Sequence, residues 1–233
     1  MKIEVSLSPA LYPFRTLKEH HTTVSIDLLR ATTAVCAAFQ AGCVSIIPLD
    51  TLEGIDSYRS MGYAIAAERN GKKVGDAEYG NSPTEYLRHD MHGVRLAYST
   101  TNGTVSILQS ADADLSLVGS FANMSALAAR LADDPRDTVL LCSGWKNDFC
   151  IEDTLVAGAL IEKLEDVAEP HGDAATMALT LWKEAKADPY AFCRNASHVH
   201  RLERLGAHDD IVFAFKQDTC PVVPVLQNNI LTL

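Results

Sequence analysis

The chain has no run of about 20 apolar residues, the length needed to cross a bilayer, and no cluster of lysine and arginine. Basic residues are scarce throughout: 20 Lys and Arg stand against 30 Asp and Glu, for a net charge of −10. Such a field repels nucleic acid and anionic membranes, so neither is an expected partner. Any anion bound must meet local arginines, lysines, helix N-termini or a metal ion. The six cysteines (Cys36, Cys43, Cys142, Cys150, Cys193 and Cys220) show no C-x-x-C spacing, and several lie in apolar runs. Reduced structural thiols are the expectation. The opening MKIEVSLSPALYPF lacks a cationic head ahead of a long apolar segment, which predicts a cytoplasmic protein.

Missing signatures narrow the chemistry further. Neither G-x-x-x-x-G-K-[ST] nor G-x-G-x-x-G is present, and there is no G-x-S-x-G serine elbow. No cysteine has an arginine six residues downstream, and Asp27 lacks a second aspartate at position 29, which is Leu29. The cysteine-phosphatase loop and a D-x-D nucleophile are thereby excluded.

What is present is an alternation of short apolar runs and helical patterns. Strands are predicted at 2–7, 23–28, 43–48, 63–67, 94–98, 115–118, 138–142, 210–215 and 221–226, with helices at 32–41, 51–60, 83–89, 104–110, 122–132, 152–165, 174–187 and 198–205. That order predicts a layered α/β/α fold with a mixed, largely parallel sheet, and 47% hydrophobic content suits one domain over 1–233. The segment 169–173 (EPHGD) is the best candidate for a hinge or loop between two lobes.

Ligands of such sheets gather beyond the carboxyl ends of parallel strands. The residues there are unusually polar. Asp27 and Arg30 stand at the end of the second predicted strand, Glu68-Arg69-Asn70-Gly71 after the fourth, STTNGT at 99–104 after the fifth, and Cys142-Ser143-Gly144 leads to Glu152-Asp153. Asn81-Ser82-Pro83 opens another helix. Each has an ordinary explanation: an exposed ion pair, a helix cap, acids complementing a helix dipole. As a set they suit an anion site. Asp27, Glu68, Asp76, Glu78, Glu152, Asp153 and Asp218 offer the hard oxygen ligands that Mg²⁺ accepts, while no Cys or His cluster has zinc spacing. His198-x-His200 lies in a helical pattern and reads as surface structure; Trp145 and Trp182 read as packing before pocket lining.

The motifs DLLRATT, ERNG, GNSP, STTNGT and CSG followed by FCIEDTLVAG occur in that order, and with them the chain resembles the magnesium-dependent 2-phosphosulfolactate phosphatases. The likeness runs from about Val24 to Gly158, with a thinner echo in DIVFAF, Asp218-Thr219-Cys220 and Pro221 to Pro224. It implies an α/β fold, Mg²⁺, and hydrolysis of phosphosulfolactate to sulfolactate and phosphate, a step in coenzyme M biosynthesis. On that footing Asp27, Glu68 and Asp153 are expected to hold the metal, and Arg30 to neutralise phosphate or another acid group of the substrate. Ser99, Thr100, Thr101, Asn102 and Gly103 are expected to bind one anionic group, with Asn81, Ser82, Ser143 and Gly144 around the rest. Glu152 is the expected general base. One departure stands out: where the family reads G-F-D before GNSP, this chain has Asp76-Ala77-Glu78. That favours one competing expectation, a phosphatase of another small 2-phosphohydroxy acid; a second, a non-catalytic anion-binding protein, is opposed by the presence of Asp27, Arg30, Glu68 and Asp153. A homodimer is the default assembly.

Overall fold

Alternating β-branched runs and helices give one mixed sheet, described here from a computed structural model covering Met1–Leu233. Its strands are β1 (Lys2–Ser6), β2 (His21–Ile26), β3 (Ser45–Leu49), β4 (Ala64–Arg69), β5 (Lys72–Lys73), β6 (Arg95–Ser99), β7 (Leu115–Gly119), β8 (Asp137–Cys142), β9 (Glu169–His171), β10 (Val225–Gln227) and β11 (Ile230–Thr232). Helices flank it: α1 (Ala31–Gln40), α2 (Ser57–Ser60), α3 (Pro83–Arg88), α4 (Gly103–Gln109), α5 (Met124–Ala132), α6 (Ile151–Lys163), α7 (Asp173–Ala185), α8 (Pro189–Cys193), α9 (Ser197–Arg204) and α10 (His208–Ala214). The layered, largely parallel α/β class expected from the sequence is therefore present. No helix is long and apolar enough to cross a membrane.

Strand order is β5-β4-β6-β3-β11-β10-β7-β2-β8-β1-β9. β4, β6 and β3 are mutually parallel, as are β7, β2, β8, β1 and β9, and the antiparallel hairpin β10–β11 joins the two blocks. The blocks thus run formally opposite to each other. A twist of about 20–25° between neighbours turns the strand axis by roughly 100–125° over the five steps from β6 to β2. Twist therefore brings the carboxyl ends of β2 and β6 to one side, where Ser25 Oγ donates to Ser106 O across 3.2 Å.

Side chains of β8 alternate between two cores, Leu140 and Cys142 packing with α6 while Val139 and Leu141 meet Tyr12 on the other face. Ala-rich α1 is buried from Ala31 to Phe39, wedged between the sheet and α3. Small side chains suit that slot.

Four segments differ from expectation. Residues 210–215 form most of helix α10 in place of a strand: Asp209 and Asp210 lie in its first turn, and Ile211 and Ala214 share the buried face. The strand expected at 221–226 begins only at Val225, because Pro221 and Pro224 have no N–H to donate. It turns at Asn228 (φ 50°) and Asn229 (φ 60°), the paired positive φ of a type I′ hairpin, into β11. The helix expected at 51–60 shrinks to Ser57–Ser60. At 169–171 the chain pairs in parallel with β1 as the sheet's edge strand.

Gly158 sits where α6 meets α7: a Cβ there would lie 2.1 Å from Ala178 O and 2.7 Å from Trp182 Cβ. Gly158→Ala should thus lower stability by about 1–3 kcal/mol through overpacking, outweighing the gain of up to ~1 kcal/mol from alanine's helix propensity. Urea denaturation checks this. A midpoint that rises would mean that α7 does not approach so closely.

Candidate active site

The loop after β2 is stitched by its own threonines. Thr32 Oγ1 donates to Asp27 O and accepts from Asp27 N, at 2.9 and 3.0 Å, while Thr33 Oγ1 donates to Leu28 O at 2.8 Å. This accounts for both threonines of DLLRATT. Asp27, only 7% exposed, is pinned at the N-terminus of α1, where Ala31 N donates to its Oδ1 at 3.2 Å. Its Oδ2 faces Gly103, and a Cβ at that glycine would fall 2.7 Å from Oδ2 and 2.2 Å from the Ala31 methyl. Only glycine fits.

Around Asp27 lies a small, mostly polar cleft. Of the expected residues, Asp27, Arg30, Glu68, Asn81, Thr100 and Asn102 line it. Gly71 O accepts from Arg30 Nη2, at 3.0 Å. The Arg30 guanidinium also pairs at 2.7 Å with Asp210, both side chains buried. Asp210 in turn accepts from the Ser82 and Thr84 hydroxyls, at 2.7 and 2.6 Å. The C-terminal third thus clamps Arg30.

Glu68 accepts from Gly71 N and from Thr101 N and Oγ1. The Tyr98 hydroxyl donates to Asn81 Oδ1, leaving its amide NH₂ without a protein acceptor. Thr100 Oγ1 accepts from Thr104 N at 3.1 Å, and Asn102 Oδ1 from Lys146 N at 3.1 Å.

Other expected residues are placed around this cavity without lining it. Ser82 is the N-cap of α3, Ser99 is held between Arg69 and Thr51 O, and Ser143 Oγ is bonded to Ser106 Oγ. Asp153 accepts from Leu28 N through Oδ1 at 2.9 Å and from Gly144 N through Oδ2 at 3.0 Å, so it ties two site loops together while each oxygen keeps a second lone pair. Asp76 and Glu78 pair with half-buried Arg59, Glu78 also accepts from Ile65 N, and Asp218 binds Ser125. The Asp76-Ala77-Glu78 departure therefore lies outside the cavity.

Sequence reasoning missed one whole wall. Trp145, His198, Arg201 and Leu202 line the cavity, which corrects the reading of the His198-x-His200 helix as surface structure: His200 is exposed, but His198 is 6% exposed. Residues two apart fall on opposite faces of a helix. Trp145 is presented by a tight turn, with Lys146 (φ 54°) and Asn147 (φ 66°) at its centre and Trp145 and Asp148 exchanging backbone bonds of 3.0 Å. Trp182, by contrast, packs on Phe121. The discoverable signal in α9 was spacing: Val199 and Leu202 are buried at i, i+3, and His198 and Arg201 accompany them at the same spacing.

Burial dominates the electrostatics. Asp27 is pushed up to about 7 by loss of solvent, against the Ala31 N–H, with Glu68 and Glu152 adding repulsion. Asp153 is raised well above the carboxylate range by burial and then by Asp27 and Glu152, and Glu152 is raised by burial. Burial lowers His198 to about 3, with the Arg201 charge assisting. Cys150, Glu152 and His198 place donor atoms within 4.8 Å of one another. Arg201 Nη2 can only donate to His198 Nε2, at 3.0 Å, so the ring proton resides on Nδ1, 4.0 Å from Glu152 Oε1. That trio shares protons and does not offer three lone pairs to a soft metal. No lysine or arginine pairs with Asp27, Glu68, Glu152 or Asp153. A buried group of hard oxygens with no lysine or arginine in ion-pair contact fits a divalent cation such as Mg²⁺.

A protein that opposes uncompensated carboxylates to guanidinium groups in a small cleft, at strand ends of an α/β sheet, is of the class that handles small, highly charged anions. Within that class the chain belongs to the 2-phosphosulpholactate phosphatase family, whose model matches residues 7–229. Relatives named probable 2-phosphosulfolactate phosphatase bear this out. That of Caldanaerobacter subterraneus subsp. tengcongensis is 34% identical over 221 residues, 93% of this chain and 91% of the relative. That of Thermotoga maritima is 33% identical over 215 residues, 92% and 93%. Gloeobacter violaceus has one 31% identical over 229 residues, 96% and 94%.

The raised Asp27 value sets a stability prediction. Below about pH 4 the aspartate is protonated in both states; between pH 4 and 7 the folded protein binds the extra proton, so stability is lost as pH rises through 7. In EDTA, Asp27→Asn should melt higher than the parent by a margin that grows from pH 4 to about pH 7 and then levels off. Differential scanning calorimetry measures it. A variant that melts lower at pH 8 would place the Asp27 carboxylate in a compensated environment.

Proposed function

We propose that the protein is a Mg²⁺-dependent phosphatase that hydrolyses 2-phosphosulfolactate to 3-sulfolactate and inorganic phosphate. The observation that carries this reading is the small cavity in which Asp27 and Glu68 confront Arg30 and Arg201, in a chain that matches the family along almost all its length. The substrate bears phosphate, carboxylate and sulfonate on three carbons, and separated donor groups around one cleft suit it better than a single cradle.

Asp27 and Glu68, with Asp153 behind them, would hold Mg²⁺, which when bound draws charge from phosphoryl oxygens. Arg30 neutralises the phosphate, its orientation set by Asp210 and Gly71 O. The free NH₂ of Asn81 and the Thr100 hydroxyl, each fixed through its oxygen by a neighbouring donor, supply hydrogen bonds to phosphate oxygens. Hydrolysis forms one bond from water oxygen to phosphorus and breaks the bond from phosphorus to the C2 oxygen; a proton leaves the water and one reaches the departing alkoxide. Glu152 lies behind the His198 ring, its Oε1 4.0 Å from Nδ1, and takes the water's proton by relay through that ring before it is returned to the departing alkoxide. Arg201, Trp145 and His198 form a further wall of the cavity.

The activity test is release of phosphate from synthetic 2-phosphosulfolactate. Turnover is expected with Mg²⁺, abolished by EDTA and restored by excess Mg²⁺, and reduced by about 10³-fold or more in Asp27→Asn, the scale on which loss of a preorganised charge acts. Folded protein that releases no phosphate with Mg²⁺ present would refute the assignment; equal rates with and without EDTA would refute the metal.

A further inference from the structure

Arg201 is the one cation of the cavity that the protein leaves unused. Its Nε and Nη1 are buried and have no hydrogen-bond partner, and of its five N–H bonds the only one donated within the protein goes from Nη2 to neutral His198. No carboxylate lies within ion-pair distance, whereas buried Arg15 and Arg30 are paired at 2.5 and 2.7 Å with Asp112 and Asp210. The guanidinium is nevertheless held in place, stacked 3.7 Å above the Trp145 ring, with its Nη1 beside Gly71. A half-buried guanidinium that is held in place while two of its nitrogens are shut off from water without a partner is costly, and it is retained where an anion completes it.

We infer that Arg201, flat against Trp145, is the specificity-determining receptor for the substrate's second oxyanion, the carboxylate or sulfonate that is not hydrolysed. This rests on the phosphatase reading for the identity of the substrate. Geometry separates the two arginines. Arg30 reaches the cavity from the Asp27 loop with its charge partly spent on Asp210, while Arg201 enters from α9 with no carboxylate in ion-pair contact. Planar guanidinium suits carboxylate or sulfonate oxygens arranged in pairs, and the indole face fixes its plane without consuming an N–H. A substrate with phosphate alone would leave those N–H groups unsatisfied.

Steady-state kinetics of the intact protein test this, with Arg201→Met and Arg201→Lys beside Arg204→Met, an exposed residue of the same helix. In Arg201→Met the KM for 2-phosphosulfolactate should rise about 30- to 100-fold, the scale of lost charge-assisted hydrogen bonds, while kcat falls by no more than about threefold. Lysine should restore part of the loss, and Arg204→Met should match the parent. On 2-phospholactate, which has the carboxylate and no sulfonate, a vanishing penalty assigns the sulfonate to Arg201 and a persisting one the carboxylate. An unchanged KM, or the same loss on p-nitrophenyl phosphate, which has no second anion, overturns the proposal.

Calorimetric binding of 3-sulfolactate separates this proposal from the phosphatase reading. Arg201→Met should weaken it about 30-fold, whether or not the parent turns over any phosphate ester. A parent that does not bind 3-sulfolactate, or a variant that binds it equally well, also overturns the proposal. Failure of turnover with binding intact would count against the phosphatase reading alone.

Discussion

Four carboxylates, those of Asp27, Glu68, Glu152 and Asp153, are withdrawn from water around one small cavity, and the placement of the surrounding loops answers to that constraint. Unpaired buried charge costs several kcal/mol per group. What makes it tolerable is backbone: Ala31 N on Asp27, Gly71 N on Glu68, Leu28 N and Gly144 N on Asp153. Two of the acids also occupy the first turn of α6, where the helix dipole favours negative charge. The remaining deficit is what a divalent cation would remove. Stability given up at the site is the counterpart of function there.

The second organising contact is the buried pair of Arg30 and Asp210. Asp210 gathers Ser82 and Thr84 from the start of α3 and Arg30 from the β2 loop, so three segments far apart in the chain set one guanidinium. The C-terminal third is thus part of the cavity and not an appendage. Helix α9 adds Arg201 and His198, and the hairpin β10–β11 joins the two parallel blocks whose twist makes their carboxyl ends converge.

Much of this was legible in the chain because strand-end chemistry is local. Asp27, Arg30 and Glu68 follow apolar runs directly, and STTNGT and GNSP carry their own capping and turn logic. Spacing could not tell which polar groups turn inward: Ser82, Ser99 and Ser143 look like ligand donors in sequence, yet each hydroxyl is consumed by neighbours. Arg201 and His198 were hidden for the opposite reason. SHVHRLERLG has the polarity of a solvated helix, and only packing against the Trp145 turn buries its face. DIVFAF reads as a strand by its apolar run; two acids at a helix start, one of them captured by Arg30, decided otherwise.

We propose that the buried acids form a site for a divalent cation. Titrating Mg²⁺ into metal-free protein at pH 6.5, in buffers of different ionisation enthalpy, tests it most directly. With Asp27 raised to about 7 and Asp153 raised by burial, the account predicts one ion per chain and release of at least roughly half a proton per ion bound. Absence of binding, or binding with no proton released, would contradict it.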